Sequence, residues 1–378
     1  IENYHESTPQ IEPFLLVINR SRAFVAVVFT MAAMFALTTL VANTYRVQRR
    51  ARAETHFQKG NVLLREGDNH RAVSEFREAL AYSHDNFQYR LALALALIKV
   101  GDLGEAEAHL SELQESDPTS GIVNLKLAQL AADRGDFQQA VTYYHRAIYG
   151  QWSSQPEQNR IQARFDLITF LVGRKAKKEA IGELLQMAGE VPDDPPLKDR
   201  IGNMLLEYGA PANAADIFQD VLSEHVDAGA YFGLGRANFA MADYTTAQHA
   251  FRRALHMQPD NNEIRQRLAL TDQIVALDPT VARLSSAERY DRSRQLVSKA
   301  LAALEQCAGS EDEVLPDTFS SLMAEARKAS PRRREGETPR LISLAEQLWQ
   351  ARTKLCASPP QKDEPLAFVL AKIAKQTP

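Results

Sequence analysis

Cys307 and Cys356 are the only two cysteines in 378 residues. A pair this far apart either closes a disulfide or remains as two thiols, and two cysteines make neither a disulfide framework nor a cysteine-ligated structural metal site. The nine histidines, among them His56, His70, His84, His109, His145 and His225, are scattered without ligand spacing and read as structural or solvated side chains. Arg332, Arg333 and Arg334 stand between prolines; such a run suits a phosphorylated or acidic partner, but an exposed linker is the simpler reading. Arg134-Gly135-Asp136 spells an adhesion-like tripeptide, yet its glycine and aspartate fall where a turn is expected. The sequence contains no GxxxxGK phosphate loop and no HExxH, CxxC or GxSxG motif. No nucleophile, base and orienter belong together, so the expectation is a non-enzyme with no cofactor and no metal.

The elements that position these residues follow from composition and pattern. Hydrophobic residues make up 45% of the chain and charged residues 24%, ordinary for a globular protein. A net charge of −4 gives no general attraction to nucleic acid; neither nucleic acid nor a small-molecule substrate is expected as a partner. Residues 23–45, "AFVAVVFTMAAMFALTTLVANTY", carry no charge and are long enough to cross a bilayer as a single transmembrane helix behind an N-terminal tail, 1–22. Arg20 and Arg22 precede this span, whereas Arg46, Arg49, Arg50, Arg52 and Lys59 follow it. The positive-inside rule then expects the large following part in the cytoplasm. A disulfide between Cys307 and Cys356 would instead require an oxidising, periplasmic side.

"RLALALALIKVGDLGEAE", residues 90–107, has leucine at every second position, as a half-buried strand would. Alanine and leucine nevertheless prefer helix, and the stretch recurs in helical form. Gly67, Gly101 and Gly135 are each 34 residues apart, as are Ala72, Ala106 and Ala140. A fixed period with helical pattern on both sides of a short turn marks stacked helical hairpins. At these positions the chain resembles the tetratricopeptide repeat (TPR) family, over roughly residues 53–280. Its small residues fall at Gly60, Ala72 and Ala79 in repeat 53–86, and at Ala94 and Ala106 in repeat 87–120. Repeat 121–154 has Ala128, Ala140 and Ala147. The large residues facing them are Phe76, Leu110 and Tyr144, and Pro118 ends the second copy. After an insertion near 155–160 the pattern resumes in 161–194 (Ala180, Leu184, Pro192) and 195–227 (Gly202, Ala214, Phe218). The sixth copy, 228–261, carries Gly235, Ala247, Phe251, Ala254 and Pro259, and residues 262–277 read as a capping helix. The fold class expected is therefore all-α: one transmembrane helix, a TPR α-solenoid over 53–278 with about six hairpins and a cap, and a small C-terminal helical region over 285–378.

In that last region Ser285 stands three residues before Glu288, a capping-box arrangement opening a helix to Cys307. Further helices are expected from Thr318 to Ala329, from Thr338-Pro339 to Leu355, and from Leu366 to Lys375. Cys307 and Cys356 end the first and third of these, so an up-down-up bundle brings them to one side.

The resemblance implies that the first helix of each hairpin lines a concave protein-binding groove. Carried over by motif position, its lining is Phe57, Asn61 and Arg65, then Leu91, Leu95, Ile98 and Lys99, then Leu125, Lys126 and Gln129. Later repeats add Phe165 and Thr169, Arg200 and Asn203, and Phe232 and Arg236. Relatives that grip the C-terminal carboxylate of heat-shock chaperones need polar or basic groups where Phe57, Ala92 and Ile122 stand here; Asn61 and Lys126 alone do not complete that clamp. The apolar surplus at Leu91, Leu95 and Ile98 suits a hydrophobic peptide or amphipathic helix, or simply packs within the repeats. The function expected is a membrane-anchored, non-catalytic scaffold for a protein partner, or an accessory subunit of a larger membrane complex. An enzyme with its site in the C-terminal region is the weakest reading.

Overall fold

The leucine-rich stretch is helix, and its ends show how the first three hairpins turn. Helix α3 (Phe87–Val100) is preceded by Asn86, whose side chain accepts from Tyr89 N, and closed by Gly101 at φ +88°. The next residue, Asp102, accepts from Glu105 N and so caps α4 (Leu103–Ser116). One Gly-Asp pair therefore ends a helix and starts the next: glycine occupies the left-handed conformation without a Cβ penalty, and aspartate satisfies an orphan N–H. Gly67-Asp68 repeats the device before α2 (Asn69–Tyr82), and Gly135-Asp136 repeats it between α5 (Gly121–Arg134) and α6 (Phe137–Ile148). The adhesion-like tripeptide is this turn.

The computed structural model describes residues 12–190, 194–308, 317–329, 336–356 and 363–376, with side chains over the described residues between 24 and 375. Pro192 and Arg332 to Arg334 lie outside the described residues. All named elements are helices; an isolated parallel bridge joins Ser120 to Gln151. The chain divides into two compact units, residues 1–170 and 171–378.

In the first unit α1 runs unbroken from Glu12 to Glu66, so the apolar stretch and the first helix of the first hairpin are one rod. The composition changes at Arg46, but nothing there breaks a helix: no proline, no capping residue with a partner, and glycine only at Gly60. Its apolar part is bare; Phe24, Phe29, Met34 and Phe35 are each exposed by more than two thirds. Thr30, Thr38, Thr39 and Thr44 turn their hydroxyls back onto carbonyls three residues earlier, at 2.8–2.9 Å. Farther along, α1 packs on α2, α3 on α4, and α5 on α6. The period break is absorbed by the loop at Gly150–Gln155 and by a lengthened α7 (Pro156–Gly173). Trp152 donates from Nε1 to Ala147 O at 3.0 Å and covers Gly121, where even a methyl group would collide with the indole.

The second unit continues with α8 (Lys177–Glu190), α9 (Pro195–Glu207), α10 (Pro211–Glu224), α11 (Ala228–Ala240), α12 (Tyr244–Met257) and α13 (Asn262–Leu277). Then follow α14 (Ser286–Cys307), α15 (Asp317–Arg327), α16 (Glu337–Leu355) and α17 (Glu364–Gln376). The capping box forms: Ser285 accepts from Glu288 N, and the Glu288 carboxylate accepts from Ser285 N. α14 and α16 bury Leu296, Val297, Ala300 and Leu304 with Leu341, Leu344, Ala345 and Leu348 in one core. α17 closes this bundle onto the last hairpin. Phe368 meets Phe239 and Tyr244 edge-on, with ring centroids 5.0 and 6.1 Å apart, and Lys372 Nζ lies 2.7 Å from the buried carboxylate of Asp278. Cys307 and Cys356 are joined as a disulfide.

The small-against-large rule of the repeats is visible atom by atom. A Cβ built on Gly60 would lie 2.6 Å from Phe76, one on Gly202 2.6 Å from Phe218, and one on Gly235 2.5 Å from Phe251. Where the small residue is Ala94, the facing residue is Leu110 in the same cluster. In these crossings glycine accompanies phenylalanine and Ala94 the smaller Leu110, which keeps them filled without strain.

Candidate protein-binding faces

In the first unit the side chains expected to line a groove divide into three groups. Leu125 and Phe165 are buried, 9% and 3% exposed, and present almost nothing to a partner. Phe57 is half-buried between aromatic neighbours, its ring 4.8 Å from that of Tyr89 and 5.8 Å from that of Phe76. Leu91 and Ile98 are half-buried against the core of the second and third hairpins. Packing therefore uses part of the apolar surplus of α3. Asn61, Leu95 and Gln129 remain half-buried on the face of α1, α3 and α5.

A polar relay runs along this face. Lys126 Nζ donates to Gln129 Oε1 at 2.9 Å, and Gln129 Nε2 donates to Asp166 Oδ2 at 3.4 Å. Gln162 Nε2 reaches the other oxygen of Asp166 at 2.8 Å. Burial holds the Lys126 ammonium below the usual lysine range, with the Asp166 charge opposing.

In the second unit Asn203 on α9 and Arg236 on α11 come together: Arg236 Nη1 donates to Asn203 Oδ1 at 2.7 Å, and its guanidinium lies 5.9 Å from the Phe232 ring centroid. Asn203 Nδ2 in turn donates to Asp199 O and Oδ2 at 2.9 and 3.1 Å. Asp199, Asn203 and Arg236, with Arg200, Phe239 and Arg267, line a cavity of about 750 Å³. Burial pushes the Asp199 carboxyl above its ordinary range and the nearby Asp227 charge adds to this, while Arg236 and the Asn203 hydrogen bond pull it back. A half-desolvated set of donors and acceptors beside apolar rings is what recognition of a peptide requires. Sequence reasoning named Arg200, Asn203, Phe232 and Arg236 but missed Asp199, Arg267 and Asp166. The i, i+4 spacing of Asp199 to Asn203 was the available signal.

Two-helix hairpins, the first three turning on Gly-Asp pairs, with small residues set against large ones where the helices cross, define a helical-repeat protein. Family models described as tetratricopeptide repeat match residues 63–130, and 125–195 with 232–271. The repeats of this chain belong to the tetratricopeptide repeat family. A curated relative, the BBSome complex member BBS4 of Bos taurus, is 24% identical over 251 residues, covering 66% of this chain. The match spans 41% of that protein's length. Among solved structures, a tetratricopeptide repeat protein of Parabacteroides merdae is 18% identical, covering 58% of this chain and 84% of its own, with a TM-score of 0.34. Pseudomonas aeruginosa PilF is 16% identical, covering 59% and 99%, with a TM-score of 0.37. The C-terminal part of a repeat protein of Cytophaga hutchinsonii is 13% identical, covering 64% and 94%, with a TM-score of 0.41.

Proposed function

We propose that this protein is a membrane-anchored, non-catalytic scaffold that holds a protein partner on the first-helix faces of its repeats. The observation that carries the reading is the continuity of α1: a bare apolar helix, long enough to cross a bilayer, becomes the first helix of the first repeat without a joint. The bilayer would be met by residues 23–45. Groups that recognise a peptide lie on the corresponding helices, Leu95 and Gln129 in one unit and Asn203 and Arg236 in the other.

A second reading makes the chain an accessory subunit of a larger membrane complex, and the curated relative supports it by being described as a complex member. Both readings predict that alkaline carbonate leaves the full chain in the membrane and that mild detergent extracts it with a stoichiometric protein companion. They part on the variant pair Asn203→Ala and Arg236→Ala. A groove-held partner is lost from both variants, whereas a subunit held through the span is retained. Recovery of the chain alone from mild detergent would refute both.

A further inference from the structure

We infer that the repeats and the C-terminal bundle lie on the oxidising side of the membrane, so that the partner is an exported protein or an exported part of one. This rests on the anchor reading above. The only cysteines of the chain sit at the last residue of α14 and just beyond the end of α16, with Cα atoms 6.1 Å apart, within the range a disulfide spans. Loops do not set that approach. The two helices are held by a common buried core, Leu304 with Leu348 among its members, so the folded bundle itself delivers one thiol to the other. Both cysteines are half-buried rather than sealed, and a thiol oxidoreductase can reach them.

The chemistry identifies the compartment. Closing the Sγ–Sγ bond removes two protons and two electrons from the thiols. The electrons pass to the disulfide of an oxidising thiol oxidoreductase, which leaves as its dithiol. Oxidising compartments supply that acceptor, whereas the glutathione and thioredoxin systems of the cytosol remove it. Among the described residues one helix is long and apolar enough to cross a membrane, so the disulfide reports the side of everything after Tyr45. The arginines after the span argue the other way, but that bias is statistical. Arg49, moreover, is engaged by the folded hairpin, donating to Ala81 O at 3.4 Å.

The test uses the full chain in the membranes of an expressing bacterium. Acid-quenched cells are treated with a polyethylene glycol maleimide before and after reduction. Spheroplasts carrying Lys178→Cys, a surface position on α8, are treated with a membrane-impermeant maleimide. We expect no adduct on the native pair before reduction, two after it, and labelling of the introduced cysteine from outside. Two adducts without reduction overturn the proposal. So does protection of the introduced cysteine in spheroplasts that becomes labelling on lysis, even where Cys307 and Cys356 are oxidised, and this readout needs no folded bundle. Release by alkaline carbonate with the oxidation and outside labelling intact would remove the anchor and keep the side, so the two failures are distinguishable.

Discussion

Gly235 and Phe251 show at single-residue scale how each repeat is built. A methyl group added at Gly235 would stand 2.5 Å from the Phe251 ring, and both residues are fully or nearly buried. Gly235→Ala should therefore destabilise the second unit by about 1–3 kcal/mol through overpacking. Phe251→Leu alone should cost about 1–3 kcal/mol through lost volume. The double variant recreates the Ala94 and Leu110 pairing and should be markedly more stable than the sum of the two, read as a coupling energy from urea denaturation. Additive losses would show that the crossing is not the contact that matters.

Asp199 offers a pH test at the same scale. Its carboxyl is raised in the folded state, chiefly by burial and then by Asp227. The folded chain therefore binds this proton more tightly than the unfolded chain does. The site's contribution to stability is fully present below the ordinary carboxylate range and is lost as pH rises through the raised value. Asp199→Asn keeps an oxygen to accept from Asn203 and removes the buried charge, so its melting temperature should exceed that of the wild type at neutral pH. The difference should shrink as the pH falls below about 4. A gap independent of pH would remove Asp199 ionisation as the cause.

At the scale of elements, the turns carry most of what can be tuned. Gly101 holds φ +88° with nothing near its missing Cβ, whereas the equivalent turn before α8 places Lys175 at φ +63°. Gly101→Ala should cost about 1 kcal/mol from backbone strain alone. Lys175→Gly, exposed and free of packing consequences, should stabilise by about 0.5–1 kcal/mol, the relieved strain minus the entropy of an added glycine. Thermal melts of the two variants should thus move in opposite directions. The same Gly-Asp signals explain why the hairpins could be read from sequence: period, cap and turn are local chemistry, and Asp102 stands at its turn and Ser285 in its capping box as the sequence suggests. The join at Arg46 was not readable as a continuous rod, because a change of composition looks like a boundary although only a helix breaker makes one.

Across the whole molecule, the repeats were legible and the exposure of the proposed binding faces only partly so. Motif position says which side of a helix a residue occupies but not how far its neighbours cover it. Leu125 and Phe165 share the motif face with Gln129 and Asn203, yet the first two are buried. Pairs such as Asn203 with Arg236, 33 residues apart, become visible only when the period is treated as a spatial neighbour. The fate of Cys307 and Cys356 was equally open in sequence, since it depends on how α14 and α16 pack.

The central claim, that a partner is held on the first-helix faces beside a membrane anchor, is tested most directly by photocrosslinking in native membranes. A photoreactive amino acid would replace Leu95, Arg236 or, as a control on the second-helix side, the exposed Gln138. The same partner should crosslink from Leu95 or Arg236, only in the carbonate-resistant fraction, and not from Gln138. Equal adducts from all three positions, or none from either groove position while the partner still co-purifies, would contradict it.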